Sequence, residues 1–129
     1  CANVPAQLAV QTALGGHQSI NEFVLPGGRL RQQRDLSWEL LNQIPGLTCV
    51  KPAGAIYMFP RLDPAVYKIE DDLALVMAIL HQEKILVVQG SAFNMGDKQH
   101  LRLVFLPNED ELKKAIGKID RLLANYRTT

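Results

Sequence analysis

Apolar and polar positions recur along this chain in two rhythms, one typical of helices and one typical of strands. The clearest helix is the last: Asn108 is a capping residue, acidic residues follow it, and apolar residues then recur at steps of three and four. The same spacing predicts three earlier helices, at Asn3–Leu14, Arg29–Ile44 and Glu70–Gln82. In the third of these, we expect the inward-facing stripe to consist of Leu73, Val76, Met77 and Leu80.

Four short apolar runs predict strands, at Leu47–Val50, Ala55–Pro60, Lys84–Val88 and Leu101–Leu106. The first two flank a turn containing proline and glycine, so we expect them to pair with each other. The chain is therefore predicted to be α/β, of the α+β small-domain type. It should have a small mixed or antiparallel sheet of about four strands, covered by helices, with an amphipathic helix at the C-terminal end.

One charged residue interrupts an otherwise apolar strand, "LRLVFL". Alternation places Arg102 on one face with Val104 and Leu106. A buried guanidinium needs an anionic partner. The partner is either a carboxylate of this chain, in a salt bridge, or the carboxylate or phosphate of a bound ligand. The pattern alone does not choose between them.

The segment before that strand, "QGSAFNMGD", is longer than a hairpin turn requires. It is either an ordinary surface loop or a mobile flap beside a ligand, with Phe93 excluding water. Alternation also places Tyr57 and Phe59 on one face of their strand. This favours a core position for both, although the Tyr57 phenol could instead line the mouth of a pocket.

Composition narrows the range of functions. The chain has 129 residues, 47% of them hydrophobic, and a formal charge of +1, which suits a single domain with a real core. Basic and acidic residues are nearly equal in number, which does not indicate a nucleic-acid or membrane-surface partner. No apolar run is long enough for a membrane span. The two cysteines do not suggest a disulfide framework and the three histidines lack zinc-site spacing, so we expect no metal and a cytoplasmic setting. The opening "CANVPAQ" suggests a piece of a longer protein.

No motif for catalysis is present: the sequence lacks a phosphate-binding glycine loop and a G-x-S-x-G turn, and Ser91 has no evident base. We therefore expect no catalytic residue in this chain. Two kinds of protein stay open on the residues alone. One is a non-catalytic domain of an enzyme, and the other is a stand-alone carboxylate-binding or regulatory module.

Three ordered segments, "IPGLTCVKPAGAIYMFPRLD", "EKILVVQGSAFN" and "HLRLVFLPNEDELKKAI", resemble the C-terminal small domain of class I/II aminotransferases of fold type I. The opening "NVPAQLAVQTALGG" is similar to the helix that follows the cofactor-lysine segment in that family. "INEFVLPGGRL" and "VKPAGAIYMFP" look most like bacterial glutamate–pyruvate (alanine) aminotransferases. One departure is Gln89, where many relatives carry proline.

The resemblance implies a division of labour. Residues 1–28 would be a helical segment leading from a missing large domain, and residues 29–129 would be the small domain. Arg102 would bind the α-carboxylate of an amino-acid or 2-oxo-acid substrate, and the Gln89–Asn94 loop would move as the enzyme closes. Pyridoxal 5'-phosphate would serve the intact homodimeric enzyme. None is expected on this piece, which lacks the Schiff-base lysine and should be inactive alone.

Overall fold

A computed structural model describes residues 1–128. In this part of the chain five α-helices surround five very short strands. The helices are α1 (Val4–Gly15), α2 (Ile20–Val24), α3 (Arg29–Gln43), α4 (Asp72–Ala78) and α5 (Glu109–Leu123). The strands are β1 (Leu47–Thr48), β2 (Tyr57–Met58), β3 (Arg61–Leu62), β4 (Val88–Gln89) and β5 (Leu101–Val104). The predicted α+β class is confirmed.

Helix ends follow the expected capping chemistry. The Asn3 side chain accepts a hydrogen bond from the Ala6 amide, and Asn108 does the same for the Glu111 amide at the start of α5. The apolar stripe of α5 is buried as its spacing predicts, with Ile119 and Leu123 almost fully enclosed. α2 was missed in the sequence because five residues are too few to show a helical period.

Both sheets are antiparallel. One pairs β1 with β3, and the other has the order β2–β5–β4, with β5 in the centre. The predicted pairing of Leu47–Val50 with Ala55–Pro60 is wrong: Leu47 lies opposite Leu62, and Tyr57 lies opposite Val104. The physical reason is burial, since these distant pairings bring Leu47 and Leu62 together in the core, which a local hairpin does not.

Two further expectations are corrected in the α4 region. Of the predicted stripe Val76 is buried and Leu80 is half-buried, whereas Leu73 and Met77 are exposed. The buried face of α4 and of the π-helical turn that follows it (Ile79–Glu83) consists of Asp72, Leu75, Val76 and Ile79. The predicted strand Lys84–Val88 is shortened from its beginning. Lys84 takes a left-handed conformation (φ 60°) that ends the π-helical turn, and strand pairing begins only at Val88.

The core lies between the sheets and the helices α3, α4 and α5. By contrast, α1 and α2 contain no buried residue. Their large apolar side chains are exposed, including Leu8 (79%) and Leu14 (74%). Such a surface is typical of one that packs against another part of a protein.

This surface leads to a prediction for the 129-residue chain in isolation. We expect it to self-associate as its concentration rises, because the apolar side chains of α1 and α2 are uncovered. Sedimentation velocity across a hundredfold concentration range measures this. The double variant Leu8→Glu/Leu14→Glu should stay monomeric, because it places two charges on the uncovered apolar surface. It should still fold, since neither side chain has a buried contact to lose. An ideal monomer for the unaltered chain at every concentration would contradict the prediction.

Candidate functional site

Arg102 lies on the central strand β5, and its guanidinium is enclosed by two aromatic rings. Its Cζ is 4.7 Å from the centroid of Tyr57 and 4.6 Å from that of Phe93. Tyr57 reaches it diagonally from β2, because Tyr57 is paired with Val104, two residues along on the same face. Cation–π attraction to two rings restricts the orientation of the guanidinium.

Arg102 has no anionic partner within residues 1–128. The ion pairs of this region do not include it, and its Nε is buried without a hydrogen-bond acceptor. The in-chain salt bridge that the sequence left open is therefore not formed in the described part of the chain. A buried, unsatisfied donor on a charged group is costly, so the geometry favours an anion from outside this region.

The loop that carries Phe93 is built in a defined way. Gly90–Phe93 form a turn of 3₁₀ helix, and Asn94 ends the turn in the left-handed region (φ 61°). The Gly90 amide donates to the His100 carbonyl at 2.7 Å. A Cβ at residue 90 would lie 2.8 Å from that of His100, so only glycine permits this close approach of the loop to β5.

An aromatic cluster extends from Phe93 along the same face. Phe59 meets Phe93 edge-on, with 6.0 Å between centroids, and stacks on His100 at 5.0 Å. The core position predicted for Tyr57 is wrong, because the Tyr57 side of β2 faces Arg102, and 40% of Tyr57 is exposed. Phe59 is half-buried. The pocket-mouth position considered for Tyr57 agrees better with this geometry.

Sequence reasoning missed His100 and Asp97. His100 Nδ1 lies 3.2 Å from the Asp97 carboxylate. The Asp97 carboxylate also accepts the Gln99 amide, and this hydrogen bond, with a smaller contribution from His100, lowers the pKa of Asp97 below its usual value. The signal was available: His100 precedes Arg102 by two residues, and side chains two apart in extended backbone point to the same face.

No activated nucleophile accompanies Arg102 in residues 1–128. The Ser91 amide and hydroxyl both donate to the Asp72 carboxylate, at 2.8 and 2.9 Å, and no histidine of this region is hydrogen-bonded to that hydroxyl. Burial raises the pKa of the Cys49 thiol, which disfavours the reactive thiolate. No three acidic, histidine or cysteine side chains in this region are placed to hold a metal ion. Nor is any described helix long and apolar enough to cross a membrane.

The lysines do not fit a covalent cofactor site. All but Lys118 are exposed, and Lys118 is half-buried with its Nζ donating to the Glu83 carbonyl at 3.1 Å. Lys51 forms an ion pair with Asp35 at 3.1 Å, and Lys84 donates to the His81 carbonyl. A lysine that acts as a nucleophile usually lies in an apolar pocket, whereas the lysines here are exposed or, in Lys118, bonded to a backbone carbonyl. What the arrangement can do is hold a small anion at Arg102.

Fold and site together define an α+β domain in which an arginine without an ion-pair partner in residues 1–128 lies between aromatic rings on one face of a small antiparallel sheet. The chain belongs to the family described as aminotransferase class I and II, which matches residues 1–119. A Mycobacterium tuberculosis alanine aminotransferase is 60% identical over 127 residues. The Escherichia coli glutamate–pyruvate aminotransferase AlaA is 55% identical over 126 residues. Each alignment covers 98% of this chain, which spans only 30% and 31% of the relatives' own lengths.

Solved structures agree with these matches. An E. coli aminotransferase aligns with a TM-score of 0.90 and 53% identity, covering 100% of this chain and 32% of that one. An alanine aminotransferase from Pyrococcus furiosus aligns with a TM-score of 0.82 and 33% identity, and the alignment covers 97% of this chain and 31% of the Pyrococcus chain. The chain is thus similar to about one third of each protein.

Proposed function

We propose that this chain is the substrate-carboxylate-binding domain of a longer aminotransferase, and that Arg102 is the residue that binds. The intact protein would move an amino group between an amino acid, alanine or glutamate, and a 2-oxo acid. The observation that carries the proposal is the guanidinium of Arg102, held between Tyr57 and Phe93 with no anionic partner in the described residues 1–128 and with its Nε unsatisfied. Family membership and the names of the relatives support the reaction and the substrates.

The chemistry of the site suits a carboxylate. A guanidinium donates two parallel hydrogen bonds to the two oxygens of one carboxylate, which fixes the position of the neighbouring Cα. The rings of Tyr57 and Phe93 limit rotation of the guanidinium, so less freedom is lost on binding. Phe93 would also exclude water from the ion pair as the closing small domain carries the loop Gln89–Asn94 toward the substrate, which strengthens the electrostatic attraction.

The division of the chain is part of the proposal. Residues 1–28 would connect to, and pack on, a large domain outside this sequence, and residues 29–129 would form the small domain. The exposed apolar side chains of α1 and α2 support this arrangement. A homodimer in the cytoplasm stays a prediction for the intact protein.

Pyridoxal phosphate, which the family generally uses, would have its covalent site outside this chain. We expect the full-length protein to form a single cofactor–lysine adduct on reduction with borohydride, and peptide mapping to place it outside residues 1–129. The isolated chain, treated in the same way, should give only scattered substoichiometric labelling of exposed lysines. A stoichiometric adduct on one lysine of this chain would contradict this part of the proposal.

The activity itself is tested on the full-length protein, by following pyruvate formation from alanine with 2-oxoglutarate as acceptor. We expect turnover with this pair, and no turnover by residues 1–129 alone. If the natural protein ended at this domain and bound carboxylates without turnover, the stand-alone binding module would replace the enzyme as the explanation.

A further inference from the structure

Asp72 is a buried carboxylate that helix capping does not explain. It is only 2% exposed, at the first residue of α4. Capping is performed by its neighbour, because the exposed Asp71 carboxylate accepts the Leu73 amide at 2.9 Å. Burying a charge is costly unless it is well hydrogen-bonded, so the partners of Asp72 identify its role.

Both oxygens of Asp72 are used by one residue of the Phe93 loop. Oδ2 accepts the Ser91 amide at 2.8 Å, and Oδ1 accepts the Ser91 hydroxyl at 2.9 Å. The ion pairs of residues 1–128 do not include Asp72. Two charge-assisted hydrogen bonds to a single residue fix both its backbone and its side chain.

Ser91 is connected to Phe93 through the backbone of the loop. The two residues belong to the same 3₁₀ turn, which is closed by the Asn94 amide donating to the Ser91 carbonyl at 3.1 Å. The Gly90 amide joins the turn to His100, the residue immediately before β5. With Ser91 held, the Phe93 ring lies over the Arg102 guanidinium. A continuous set of contacts therefore connects Asp72 to Arg102.

We propose that Asp72 is a positioning residue for the carboxylate site: by holding Ser91, it keeps Phe93 against Arg102 and so keeps the guanidinium oriented for its ligand. The inference rests on the proposed function of Arg102. It assigns to α4, which reaches Arg102 through Ser91 and Phe93, a share in substrate selection.

The test uses Asp72→Ala in the full-length enzyme. We expect catalytic efficiency toward alanine to fall about ten- to hundredfold, mainly through a higher KM, because loss of hydrogen bonds to a charged group frees the loop. Efficiency toward ethylamine, which is alanine without its carboxylate, should change less than about threefold, since this substrate does not use Arg102. Asp72→Asn, which retains an acceptor for the Ser91 amide, should recover part of the loss.

Two matched variants control for folding. Asp71→Ala removes the neighbouring carboxylate and the helix cap but no contact with Ser91, and should leave the ratio of alanine to ethylamine efficiency unchanged. Ser91→Ala removes one of the two hydrogen bonds and keeps Asp72 paired with the amide, so an intermediate effect is expected even if Asp72→Ala folds poorly.

Hydrogen exchange at the Ser91 amide gives a readout that does not depend on activity. Asp72→Ala should speed this exchange about ten- to hundredfold, with little change at the α5 amides. Unchanged exchange at Ser91, or equal losses toward alanine and ethylamine, would overturn the positioning role. Failure of the proposed function would give a different result. Arg102 variants would then lose efficiency toward alanine and ethylamine equally, while Asp72→Ala would still speed exchange at the Ser91 amide.

Discussion

Replacing Arg102 by alanine in the full-length protein should lower catalytic efficiency toward amino acids by roughly two to four orders of magnitude. The change removes two charge-assisted hydrogen bonds to the substrate carboxylate, each contributing about 1.5–3 kcal/mol. At about 1.4 kcal/mol for each factor of ten, the pair accounts for a loss of that size. Steady-state kinetics with alanine and glutamate as donors measures it.

Two accompanying results sharpen the expectation. Arg102→Lys should recover only part of the activity, because an ammonium retains the charge but cannot form the planar two-bond contact. Cofactor content, read from its absorbance, should be unchanged, since no lysine of this chain fits the covalent site. A loss of cofactor in parallel with activity would indicate that Arg102 acts on the fold of the intact enzyme instead.

The second large effect concerns stability. Leu75→Ala should lower the free energy of unfolding of the 129-residue chain by about 2–5 kcal/mol, because this leucine is almost completely buried and its removal leaves a cavity. Urea denaturation followed by circular dichroism at a fixed low concentration measures the change, with the Leu8→Glu/Leu14→Glu background used to prevent association.

Leu73→Ala is the matched control, two residues earlier on the same helix. Its side chain is 48% exposed, so the same chemical change should cost less than about 1 kcal/mol. The sequence pattern assigned Leu73 to the buried stripe and the structure assigns Leu75. A larger loss for Leu73→Ala than for Leu75→Ala would therefore contradict the orientation of α4.

This reversal shows where sequence patterns reach their limit. α5 was predicted accurately because its apolar residues have a strong helical period, a capping Asn108 and acids in the first turn. α4 is only seven residues long, and its apolar residues allow two stripes with helical spacing. The stripe that is buried begins at Asp72 and continues through Leu75, Val76 and Ile79, and the acid at its start concealed it from a pattern based on apolar residues.

The strands show a different limit. Their existence could be predicted from apolar runs, but β1 and β2 do not form the hairpin that their spacing suggested. β1 pairs with β3, and β2 pairs with β5. Leu47 gains a buried neighbour in Leu62, and Met58 lies opposite Leu103 on the central strand. Such choices depend on which apolar surfaces meet in three dimensions, and a local pattern does not contain that information.

The candidate site was partly visible in the sequence. Arg102 was conspicuous because a charge in an apolar strand needs an explanation, and Phe93 because its loop is long. The contact between these two residues was not predictable, since the loop is held by tertiary contacts, among them the hydrogen bonds that Ser91 donates to Asp72, nineteen residues away in the chain. Asp72 itself looked like an ordinary acid in the first turn of a helix.

The most direct test of the carboxylate-binding role compares alanine with ethylamine in the unaltered full-length enzyme and in Arg102→Ala. Ethylamine lacks only the carboxylate, so the comparison isolates the contact that Arg102 is proposed to make. We predict a loss of about two to four orders of magnitude for alanine and a change of less than about threefold for ethylamine. Equal losses for the two substrates, together with a lower melting temperature, would mean that Arg102 stabilises the fold and does not bind the substrate.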